Sequence, residues 1–103
     1  MNAPITRSAY KAYYDVLDQA MDSPNGIRVR VGSRGDAMHF RVRLHKARQL
    51  DRDLNCLSRA PDDPEYGISD YDALIVLVRH EDGEWWVHIK RNIIEHEIEE
   101  LTA

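Results

Sequence analysis

Arg41, His45, Arg48 and Arg52 stand at i, i+4, i+7 and i+11 in a stretch free of glycine and proline. At 100° per residue a helix gathers them within about 60° of arc, as a ridge beside the apolar stripe rather than opposite it. Their chemistry is anion recognition: a guanidinium stays charged and donates paired, coplanar hydrogen bonds that suit phosphate and carboxylate oxygens. Acidic neighbours are few, with Asp51 three positions after Arg48, a spacing at which helical side chains meet. Arg28 and Arg30 upstream, and Arg34 between them and the ridge, extend the basic segment. Such a ridge can follow a nucleic-acid backbone or dock on an acidic protein surface. A competing use is internal, because Glu95, Glu97, Glu99 and Glu100 lie together and can pair with the ridge within the fold or across a dimer.

The charge layout sharpens this contrast. The net charge is -4, yet residues 1–26 carry -1, residues 27–52 carry +6 and residues 53–103 carry -9. Overall acidity disfavours general affinity for nucleic acid, whereas a segregated basic block favours a directed contact.

Other chemistries find less support. Asp70 or Asp72 precedes a strand, a hairpin follows, and the second strand ends His88-Ile89-Lys90. This order matches the Asp…(Asp/Glu)-x-Lys arrangement of restriction-type, Mg²⁺-dependent nucleases, but His88 occupies the position of the second carboxylate and is a poor magnesium ligand. The histidines at 39, 45, 80, 88 and 96 show no paired ligand spacing, and the single Cys56 cannot build a cysteine-rich zinc site. Flanked by Leu54 and Leu57, Cys56 is expected to be a half-buried structural thiol. The Arg34-Gly35-Asp36 tripeptide is read as coincidence, and no glycine-rich phosphate loop is present. The expectation is a non-enzymatic protein with no catalytic residues, no metal and no cofactor.

The elements that must position the ridge follow from periodicity. Tyr10, Tyr13, Tyr14, Leu17 and Met21 make an apolar stripe over 7–21, predicting a helix with Thr6 as N-cap and an Ile5–Tyr10 hydrophobic staple. Ile27, Val29 and Val31 alternate with Arg28 and Arg30, the pattern of a strand with one buried face. Phe40, Leu44, Ala47, Leu50, Leu54 and Leu57 predict a main helix over about 37–57, capped by Asp36 after a short loop. Residues 58–72 read as a long loop. The apolar run from Ala73 to Arg79 reads as a strand central in its sheet, and Asp82-Gly83 as the turn of a hairpin returning through Trp85–Lys90. There Trp85, Val87 and Ile89 share one face, and Trp86 faces the other way, packed beneath a loop or the terminal helix. Residues 92–103 are assigned to a helix from the spacing of Ile94, Ile98 and Leu101, although Ile94, His96 and Ile98 also suit a strand. Phe40, Leu44, Ala47, Leu54, Val76 and Val78 are the predicted core.

The whole chain, 1–103, is expected to form one α+β domain, a small mainly antiparallel sheet with helices packed on one face. No apolar run reaches membrane-spanning length, and the first residues lack the apolar centre of a signal peptide, so a cytoplasmic protein is expected. Opposed charge blocks and a long apolar hairpin give it the means to form a symmetric homodimer. The run SRGDAMHFRVRLHKARQLDRDLN, followed by SDYDALIVLV, a tight turn and IEEL, resembles small uncharacterised proteins of tailed bacteriophages and prophages. That resemblance implies an accessory binding protein or an inhibitor of a host protein. The expected function is binding of nucleic acid or a host protein through Arg28, Arg30, Arg34, Arg41, His45, Arg48 and Arg52.

Overall fold

The computed structural model describes residues 7–91. A 3₁₀ turn at Arg7–Tyr10 leads into α1 (Lys11–Asp22); β1 (Ile27–Val31), α2 (Arg34–Ser58), β2 (Leu74–Glu81) and β3 (Glu84–Arg91) follow, with a second 3₁₀ turn at Asp70–Ala73 before β2. The Thr6 cap, its staple and the assignment of 92–103 lie outside the described residues. The fold is α+β: an antiparallel sheet in the order β1-β3-β2, with both helices packed against it.

Alternation decides which face the helices take. Tyr14, Leu17 and Ala20 of α1 and Ala37, Leu44 and Ala47 of α2 are buried together with Leu74 and Val76 of β2 and Val87 and Ile89 of β3. Pairing of Val29 with Val87 and of Val76 with Ile89 sets these strand residues on one side. Tyr14 ties the helices by donating its hydroxyl to the Ala47 carbonyl at 2.7 Å. Gly26 lets β1 begin beside β3: its φ is +79°, and a Cβ there would fall 2.6 Å from the Ile89 carbonyl oxygen, so a side chain is excluded. Asp82 and Gly83 both have positive φ at the hairpin turn, the conformation that Asp-Gly favours.

Three expectations need correction. The apolar β2 is an edge strand, and β3 is central; β2 is apolar because Ile75 and Leu77, on the face away from the helices, are themselves half-buried. α2 begins at Arg34 because Ser33, not Asp36, is its N-cap, the Ser33 hydroxyl accepting from the Asp36 N–H at 3.1 Å. The core ends at Ala47. Phe40 and Val78 are half-buried, whereas Leu54 is 45% and Leu57 83% exposed, and Cys56 is exposed. Beyond Ala47 Leu50 is only half-buried, and polar residues of α2 bind the following segment: Asp51 accepts from the Ser69 hydroxyl, Arg52 donates to Asp72, and Asn55 donates to the Ile68 carbonyl.

Candidate functional site

The seven basic positions separate onto distinct surfaces. Arg28 and Arg30 project from the sheet face opposite the helices, since their neighbours Ile27, Val29 and Val31 turn toward the core. There Arg28 lies over the Trp86 ring, 3.8 Å from its centroid, and 3.9 Å from Glu81, so a guanidinium covers one side of the half-buried Trp86; the terminal segment expected over it lies outside the described residues. Arg30 pairs with Glu84 at 3.3 Å, and Glu81 also meets His88 Nε2 at 2.5 Å. The sheet therefore supplies its own acid to this pair of arginines.

α2 carries the remaining residues, and the ridge divides along its length. Arg52 clamps Asp72, with Nε at 2.9 Å and Nη2 at 2.5 Å from the same carboxylate oxygen, and Gln49 accepts from its Nη1 at 3.2 Å. Asp72 also accepts from the Ser69 N–H at 3.0 Å, closing a capping box on the second 3₁₀ turn. Arg48 is half-buried beside this pair, and its Nη2 meets His45 Nδ1 at 3.2 Å. Burial, and then the charges of Arg48, Arg41 and Arg52, push the His45 pKa below its ordinary value, which favours the neutral ring and leaves the charge of the ridge chiefly to its arginines. Arg41 is exposed, as is Arg34 in the first turn, and neither has a side-chain partner among the described residues.

The opposite flank of α2 repeats the spacing. His39, Arg43 and Lys46 also stand at i, i+4 and i+7, all exposed. With Val42 and Tyr10 they line an open groove of about 480 Å³ between the first 3₁₀ turn and α2. Val42 is 62% exposed and Met38 37%. No acidic residue occurs between Ala37 and Leu50, so both flanks belong to one cationic arc with an apolar centre. The sequence signal for the second flank is the same periodicity begun at position 39 instead of 41.

A group of acidic residues lies away from both flanks. Asp18, Asp51 and Asp70 face a small cavity with Met21 and Tyr71; Asp18 accepts from the Tyr71 hydroxyl and Asp51 from Ser69. Asp72 lies against α2, while His88 and Lys90 project from the other face of the sheet, so the nuclease-like residues are not brought together. Among the described residues no group of histidine, cysteine or carboxylate side chains is placed to hold a metal ion, and no helix is long and apolar enough to cross a membrane. Comparison with protein-family models, curated proteins and solved structures finds no match.

Proposed function

We propose that this chain is a non-enzymatic binding module, acting in the cytoplasm, that docks the exposed face of α2 on an acidic surface of another protein. The observation that carries this reading is the arc from Ala37 to Leu50: Arg41, Arg43 and Lys46 are exposed without side-chain partners among the described residues, around the exposed Val42. Cations around an apolar centre suit a protein surface, which offers carboxylates and apolar side chains together. Arg48 and Arg52, two of the residues expected to meet a partner, have Asp72 beside them, which leaves a shorter cationic track for a phosphate backbone. The resemblance to phage proteins favours a host protein as the partner and inhibition as the consequence. Nucleic acid is the second reading, favoured by the absence of acid between residues 37 and 50.

The test is charge reversal on both flanks, Arg41→Glu with Arg43→Glu, followed by capture and cross-linking of partners through Lys46. The expected result is loss of one defined acidic partner with the thermal midpoint retained, because exposed sites of this kind alter stability by about 0.5 kcal/mol or less. Salt-sensitive binding of a DNA or RNA duplex, lost in the same variant with no protein captured, would move the function to the second reading.

A further inference from the structure

We propose that the groove lined by Tyr10, His39, Val42, Arg43 and Lys46 seats an acidic peptide segment of another protein, anchored by one apolar side chain flanked by carboxylates. This deepens the protein-binding reading of α2 and rests on it. The groove's volume, about 480 Å³, falls in the range that accepts a small ligand or a few peptide residues. Its wall is preformed. The Tyr10 ring leans on Tyr13 at 5.7 Å, and Tyr13 packs edge-on against Phe40 at 5.7 Å, so the aromatic side of the groove is continuous with the residues packed on the core.

Its chemistry selects the occupant. Val42 stands between Arg43 and Lys46 on one side and Arg41 on the other, and its exposure of 62% is the highest for a large apolar residue over the first four turns of α2. A single exposed apolar side chain is unremarkable on most surfaces; here it lines an open groove together with the cations Arg43 and Lys46. Arg43 and Lys46 have no ion-pair or hydrogen-bond partner among the described residues, in contrast to Arg28, Arg30 and Arg52, each of which has a carboxylate. Side chains three apart on a helix lie about 5–6 Å from each other, close enough for successive carboxylates of one segment to answer both. A duplex backbone matches the cations but brings no apolar group to Val42 and Tyr10. An acidic segment with an aliphatic anchor satisfies both.

The experiment titrates the ¹⁵N-labelled 103-residue chain with a short synthetic peptide of glutamates around one leucine, with the same peptide carrying serine for leucine, and with a DNA duplex. The expected result is that the leucine peptide shifts the amides around Tyr10, Val42, Arg43 and Lys46 and binds about tenfold more tightly than the serine peptide, as burial of one aliphatic side chain predicts. Val42→Ser should erase that preference while keeping the spectrum folded, and Arg43→Glu should abolish binding. Shifts confined to Arg41 and His45 would overturn the groove while leaving the protein-binding reading intact. Equal binding of the two peptides, binding of neither, or tighter binding of the duplex at the same residues would overturn the proposal. The reading of α2 as a whole is tested separately, by capture of the intact partner.

Discussion

Arg52 presents its planar fork to Asp72 in the geometry that phosphate recognition would have used. Asp72 sits in a balance of opposing effects. Burial alone raises its pKa, but the hydrogen bonds from Arg52 and the Ser69 N–H, with the charges of Arg52 and Arg48, outweigh this and lower it from 3.8. Because the folded value lies below the unfolded one, the unfolded chain binds more protons in that window. The contribution is therefore fully present above the unfolded value and is lost as pH falls through the folded value. Asp72→Asn should cost about 1 kcal/mol at pH 7, combining a partly exposed ion pair with a weakened cap. Urea denaturation across pH should show the gap between variant and parent closing in acid; a constant gap would mean that charge is not the cause. The angular grouping of the ridge was legible because it depends only on helix periodicity. Its pairing with Asp72 was not, because the partner lies 20 positions away and arrives through a turn whose path no local spacing encodes.

At the scale of elements, α2 separates what periodicity reveals from what it hides. Leu44 and Ala47 are fully buried as their spacing predicts, yet the same stripe continued to Leu54 and Leu57 leads to solvent. Hydrophobic spacing fixes a face but not the point at which the sheet beneath it ends; there Asp51, Arg52 and Asn55 replace apolar contacts with hydrogen bonds to residues 68–72. Leu44→Ala should accordingly cost about 2–5 kcal/mol, whereas Leu57→Ala should change stability by about 0.5 kcal/mol or less. Thermal or denaturant unfolding of the two variants checks the contrast, and an equal loss in both would place the end of α2 inside a core. The strands divide similarly. The alternation in β1, the Asp-Gly turn and the opposed tryptophans were readable from short-range pattern, but strand order was not. An apolar run such as β2 looks central whether its outer face is covered by a neighbouring element or half-buried by the side chains beside it.

Over the whole molecule, the structure converts a charge block along the chain into two surfaces with different electrostatics. The block from 27 to 52 was visible by counting, which needs no fold. Its division was not, because Arg28 and Arg30 lie on a strand face that meets Glu81 and Glu84 and the other six basic residues on a helix with no acid between Ala37 and Leu50. Among the described residues, α2 groups exposed cations without side-chain partners, Arg34, Arg41, Arg43 and Lys46, on a chain of net charge -4, so an acidic partner meets a favourable field at this face of the helix. This arrangement acts on encounter more than on the lifetime of the complex. Raising salt from about 0.05 M to 0.2 M shortens the screening length from about 14 Å to about 7 Å, and the association rate with the captured partner should fall several-fold. The dissociation rate should change little, because the apolar contact at Val42 is not screened, and the thermal midpoint of the free chain should be nearly constant, because its partly exposed internal pairs are weak. Stopped-flow association and surface-based dissociation measurements separate these quantities. A salt effect confined to dissociation would place the cations of α2 in a desolvated contact instead of a steering field.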